Sequence, residues 1–177
     1  MREYLTQSAE ETRGLARQVA GKLEAGQFLA LVGDLGAGKT TFVQGLAEGL
    51  GAIGRVSSPT FVLMHCHSGR VPLCHLDAYR VGSGEELREV GAEEYLEIAV
   101  VVVEWADRVP DFGPAEALVV RIAYAQETGP CWKQAEVRGN GAGSSAAAEG
   151  MRRIVIEGRG ERPAAIVREL DTDDFGN

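Results

Sequence analysis

The chain opens polar at Met1-Arg2-Glu3-Tyr4, and the first element is expected at Ser8, which with Glu11 forms a capping-box pattern. Leu15, Val19 and Leu23 then recur at helical spacing, with Gly26 as the expected stop. Phe28-Leu29-Ala30-Leu31-Val32 is a short continuous apolar run, the pattern of a strand buried on both faces. After a glycine-rich turn, a helix is predicted over Lys39–Leu50, with Phe42, Val43, Leu46 and Leu50 as its inner stripe. From Thr60 to Asp77 two extended runs flank Ser68-Gly69-Arg70 and predict a hairpin. Glu85–Leu96 predicts a short helix broken around Gly91. Ile98–Val103 is the most apolar run, too short and too β-branched for a buried helix, and predicts a central parallel strand. Ala117–Ala123 predicts another strand. Arg152–Glu157 alternates apolar and charged positions and predicts an edge strand, and Glu161–Leu170 a last helix.

Strand, loop and helix alternate as in an α/β three-layer domain. The polar, glycine-rich stretch Gly139–Gly150 is expected to be a flexible loop, and residues 171–177 a disordered acidic tail. That leaves residues 1–170 as a single domain. Its 45% hydrophobic content over 177 residues suffices for one core and leaves little for a second.

Charge narrows the function. The net charge is -8, and the only lysines are Lys22, Lys39 and Lys133, so unaided binding to a nucleic-acid backbone is not expected. No apolar run reaches the ~20 residues of a membrane span, and no signal-peptide apolar region is read at the N-terminus. Three cysteines (Cys66, Cys74 and Cys131) without C-x-x-C spacing predict reduced thiols and a cytoplasmic location.

Gly33-Asp34-Leu35-Gly36-Ala37-Gly38-Lys39-Thr40 fits G-x-x-x-x-G-K-[ST] in full, between a buried strand and a helix. Glycines let successive backbone N–H groups turn toward phosphate oxygens, and the helix offers its positive end to the same anion. Lys39 is placed to reach the β- and γ-phosphates, and the Thr40 hydroxyl to ligate Mg²⁺. A P-loop NTPase-like domain holding Mg-ATP follows, with Asp34, Gly36, Ala37, Gly38, Lys39, Thr40 and Thr41 as contacts.

Such sites need a carboxylate at a neighbouring strand tip. Glu104 and Asp77 are the candidates, the alternative for each being a solvated residue where a strand meets water. Ser57-Ser58-Pro59-Thr60 reads as a γ-phosphate-sensing switch loop or as a plain loop into a strand. His65, Cys66, His67, Cys74 and His75 invite a zinc site, but alternation along a strand turns Cys66 away from both neighbouring histidines. Trp105 reads as a core aromatic or as a cover on the nucleotide. A small-molecule or nucleotide kinase is the alternative function, disfavoured because Gly139–Gly150 carries no arginine for a lid; a GTPase is disfavoured because no N-K-x-D block occurs.

The P-loop through Thr41, Ser58-Pro59-Thr60, His75-Leu76-Asp77-Ala78-Tyr79-Arg80 and Val103-Glu104-Trp105, in this order over about residues 8 to 110, resemble the TsaE (YjeE-type) family. The resemblance implies a P-loop NTPase-like fold with a mainly parallel sheet and antiparallel edge strands, and a bacterial ATPase of low intrinsic activity. It would be stimulated by TsaD- and TsaB-like partners that transfer threonylcarbamoyl to adenosine 37 of tRNA, with tRNA contacted mainly through them. It further implies that Lys39 stabilises the phosphates, that Thr40 and Glu104 ligate Mg²⁺, that Asp77 positions or activates the attacking water, and that Trp105 and Thr60 support the site. A nucleotide-holding arginine of the family falls near Arg152. Ala78 stands where the family commonly has Leu, and Gly139–Gly150 looks like an insertion.

Overall fold

The computed structural model describes residues 1–54, 56–59, 62–125 and 150–170. Strand β1 (Arg2–Thr6) leads into helix α1 (Ala9–Gly21), whose Ser8 cap accepts a hydrogen bond from Glu11 N at 3.1 Å. The Glu11 carboxylate accepts from Gln7 N at 2.7 Å and so reaches one residue before the cap; the Ser8 half of the predicted box forms, and the return bond goes to its neighbour. β2 (Phe28–Val32) runs into the glycine-rich turn and then α2 (Lys39–Gly49). β3 (Met64–His67) and β4 (Leu73–Asp77) form the predicted hairpin, and α3 (Gly84–Glu89) breaks at Gly91 before a 3₁₀ turn over Ala92–Tyr95. β5 (Val100–Glu104), β6 (Ala117–Tyr124), β7 (Arg152–Arg159) and α4 (Glu161–Glu169) complete the order.

The sheet has seven strands in the order β1-β7-β6-β2-β5-β4-β3. β6, β2, β5 and β4 are parallel, while β7, β1 and β3 join antiparallel. This is a P-loop NTPase fold with a mainly parallel centre. One apolar layer packs α1, α2 and α4 on the sheet; the other packs α3 and the 3₁₀ turns against Val101 and Val103. All five residues of β5 are buried, which is what its unbroken valine run requires.

Two close approaches fix where the turn between β2 and α2 stands. A Cβ on Gly45 would meet the backbone carbonyl of Arg13, and one on Gly49 would meet Ala20 Cβ at 2.6 Å, so α1 and α2 touch along their glycine and alanine faces. A Cβ on Gly33 would collide with the Ile122 carbonyl oxygen of β6, and φ of Gly33 is +152°.

Three sequence expectations are corrected. Helix α1 stops at Gly21 with Lys22 as its C-cap; Gly26, at φ +87°, instead turns the chain into β2 and donates to Ala99 O at 2.9 Å. Arg152–Glu157 is not an edge: β7 extends to Arg159 and lies between β6 and β1, which takes the border. The central strand starts at Val100 and includes Glu104, because Ile98 is 61% exposed. The loop expected at Gly139–Gly150 (Gly150 apart) and the tail at 171–177 lie outside the described residues.

Candidate functional site

Gly36 and Gly38, at φ +77° and +112°, bend the chain through a conformation that side-chain-bearing residues rarely adopt. Gly38 is the N-cap of α2 and supplies no side-chain hydrogen bond, so the first N–H groups of α2 remain open to an anion. A Cβ on Gly36 would lie 2.9 Å from the Tyr124 hydroxyl, so a side chain there would both strain the backbone at φ +77° and push the Tyr124 tip aside.

Lys39, at α2's first turn, is 4% exposed. Its Nζ donates to the carbonyls of Gly33 at 2.6 Å and Asp34 at 2.8 Å, and stands 3.5 Å from the centre of the Trp105 ring. Burial lowers its pKa, opposed by Glu104, Asp107, Asp34 and Asp77. A desolvated ammonium held by neutral carbonyls and a ring face is prepared to meet an anion.

One turn position on, the Thr40 hydroxyl reaches the two oxygens of Glu104 at 2.9 and 3.0 Å. β4 and β5 pair Asp77 directly with Glu104, and the two carboxylates are 3% and 2% exposed. Asp77 Oδ2 accepts from the Ser58 hydroxyl and Oδ1 from Tyr79 N at 2.9 Å, which ties the Ser57–Pro59 loop to the strand tip. Trp105 leaves β5 at φ +60°, a left-handed conformation that throws its ring over Lys39. Tyr79 packs on it at 4.9 Å, and the Arg108 guanidinium lies over Tyr79 at 5.1 Å. Lys39, Thr40, Ser58, Asp77, Glu104 and Trp105 line an open cavity of about 360 Å³ that also takes in Tyr79, Leu35 and Thr41.

Of the remaining expected residues, Arg152 comes to the back of the cradle. Its Nε donates to Ala37 O at 2.9 Å while the guanidinium stacks on Tyr124 at 4.2 Å. Asp34 contributes its carbonyl to Lys39 and lines a second cavity on the far side of the turn. Thr60 lies outside the described residues.

Three residues contribute in ways that the sequence reading did not assign to them, although His75 and Tyr79 fall within the family block and His75 within the zinc candidates. His75 is fully buried with Nε2 2.9 Å from Glu104 Oε1; it shares a strand face with Asp77, and that two-residue spacing was the available signal. Tyr79 and Tyr124 bracket the site from loops and strand ends that carry no such periodic signal.

The residues fit a magnesium nucleotide. The cradle is one that a Cβ would fill, and the hydroxyl and carboxylate of Thr40 and Glu104 are hard oxygen donors. Among the described residues no three His, Cys, Asp or Glu side chains are grouped to hold a metal unaided. Thr40 and Glu104 would leave the rest of such a cation's shell to other oxygens, as Mg²⁺ commonly takes from water and phosphate.

A family model described as "Threonylcarbamoyl adenosine biosynthesis protein TsaE" matches residues 6–133. The chain is similar to the tRNA threonylcarbamoyladenosine biosynthesis protein TsaE of Bacillus subtilis (strain 168), 41% identical over 125 residues, 70% of this chain and 78% of that one. The protein of the same name from Treponema pallidum is 39% identical over 119 residues, 67% of this chain and 88% of that one. Among solved structures, that of Bacillus subtilis YdiB superposes with a TM-score of 0.72 at 32% identity, covering 96% of this chain and 93% of that one.

Proposed function

The chain belongs to the TsaE family, and on that premise we propose that it binds and hydrolyses Mg-ATP to support threonylcarbamoyl transfer to adenosine 37 of tRNA by a partner complex in the cytoplasm. The observation that carries the ATPase reading is the Thr40 hydroxyl donating to Glu104 beside a desolvated Lys39 at an open helix N-terminus.

Each residue has a part that follows from its place. Backbone N–H groups around Gly36 and Gly38 bind the phosphates, and Lys39 turns from its two carbonyl acceptors to neutralise charge at the β- and γ-oxygens. Thr40 and Glu104 would hold Mg²⁺, which when bound would offset the negative charge of the phosphates. Asp77, joined to Ser58, fixes the loop and orients the attacking water beside the strand tip. Trp105, backed by Tyr79, closes water out on the Lys39 side. Arg152 steadies the cradle from behind through Ala37 O.

The partners would be TsaD- and TsaB-like subunits, and membership of the family supports a low turnover for the protein alone that these partners raise. Release of phosphate from ATP is measured with this protein alone and with partner homologues added. Slow turnover that rises at least ~10-fold in the mixture supports the reading; an unchanged rate, or transfer of phosphate to a small acceptor, removes it.

A further inference from the structure

His75, two residues before Asp77 on the same face of β4, has a geometry that the roles above leave unused. It is 0% exposed, and its Nε2 stands 2.9 Å from Glu104 Oε1. A carboxylate oxygen can only accept here, so the ring proton sits on Nε2. Nδ1 is then a bare acceptor, and it is buried without a partner. A buried imidazole with one nitrogen orphaned is a costly core residue, since an aliphatic side chain would fill the same place with no polar atom to satisfy. The one bond that His75 makes is the return on that arrangement.

That bond makes the two oxygens of Glu104 unequal. Oε1 lies within reach of both His75 and Thr40, while Oε2 meets only Thr40, at 3.0 Å, among the described residues. We propose that His75 is a positioning residue that pins Glu104 Oε1 through its Nε2–H and leaves Oε2, with the Thr40 hydroxyl, as the oxygen that takes a divalent cation. The inference rests on the Mg-nucleotide reading of the site and adds a residue that acts on the metal only through Glu104. A hydrogen bond of this kind limits rotation of the liganding carboxylate and raises the share of time it spends ready for the ion.

Mn²⁺ serves as the probe, titrated calorimetrically into wild type, H75N and H75Q saturated with a non-hydrolysable ATP analogue. Nucleotide affinity in EDTA and the melting temperature are measured on the same samples. The amide nitrogen of Gln can occupy the place of Nε2, whereas that of Asn falls at the place of Nδ1. H75N is expected to weaken Mn²⁺ by ~10–100-fold with EDTA-state nucleotide affinity unchanged, and H75Q to return to within about threefold of wild type. Equal losses in both variants, or wild-type Mn²⁺ affinity in H75N, overturn the proposal. Should H75N fail to fold, H75Q decides by the same threefold margin. A wild type that retains the analogue but takes up no Mn²⁺ brings down the magnesium-site reading and this inference together; wild-type binding with H75N unmoved removes the positioning role alone.

Discussion

At the scale of single residues, the site is a set of buried polar groups whose partners are arranged for a ligand. Lys39 is the clearest case, because two carbonyls and a ring face stabilise its charge less well than a phosphate would. Lys39→Ala should weaken ATP binding by at least ~100-fold, read from the fluorescence of Trp105 with Trp132→Phe to isolate the signal. A Lys39→Ala protein that binds ATP like wild type would take Lys39 out of the cradle. Glu104→Ala acts differently, since its carboxylate faces Thr40 and not the cradle amides. ATP affinity in EDTA should hold while Mg²⁺-dependent turnover falls ~100-fold or more; equal turnover would place the metal elsewhere. The sequence made Lys39, Thr40, Asp77 and Glu104 legible because each sits at a fixed offset from a glycine turn or a strand tip. It offered His75 only as a zinc candidate and a member of the family block, and hid its link to Glu104, which lies in one cross-strand bond and an orphaned nitrogen that only the packed sheet creates.

At the scale of elements, the cradle is held by how closely α1, α2 and β6 approach. Gly45→Leu should cost about 2–3 kcal/mol, because the new side chain would run into the Arg13 backbone, which cannot swing aside. That is roughly 5–10 °C in Tm for a domain of this size, by calorimetry. Gly21→Ala, where a Cβ would meet nothing within 4 Å, serves as the control and should leave Tm within about 1 °C. Between β6 and β7, Arg121 Nη1 donates to Glu157 Oε2 at 2.8 Å, and this bond first, then Arg159, lowers the Glu157 pKa below 4.5. The folded carboxylate gives up its proton more readily than the unfolded one. Its stabilisation is therefore present above about pH 4.5 and is lost as pH falls through the lowered value. Glu157→Gln should flatten that acid limb by under ~1 kcal/mol, since the side chain is 33% exposed; an acid limb identical to wild type would show the pair to be inert. The same border shows what the pattern could not reveal. β7 alternates like an edge strand because charges flank its apolar residues, yet β1 covers it. Only Tyr4 and Thr6 of β1 point inward, and two alternating positions in a polar pentapeptide are too few to register as a strand.

At the scale of the whole molecule, the acidic balance and the anion pocket pull in opposite directions. A single lysine at the cradle is enough for a nucleotide because it is buried and focused by the backbone N–H groups around it. A tRNA backbone presents its charges to the surface, where 26 acidic side chains outnumber 18 basic ones. Several arginines are further committed to carboxylates, including Arg13, Arg17 and Arg88. Long-range repulsion acts over about a Debye length, ~10 Å at 0.1 M salt, so the effect is strongest in dilute buffer. Gel-shift titration of unmodified tRNA with this protein alone should therefore give no complex up to ~10 μM protein, even at low salt, where a nucleic-acid-binding surface would bind most tightly. Adding TsaD- and TsaB-like partners should bring the protein into a tRNA-containing complex, since the partners would supply the basic contacts. A salt-sensitive complex of this chain with tRNA in their absence would mean that a basic surface survives the net charge, and that tRNA contact is direct.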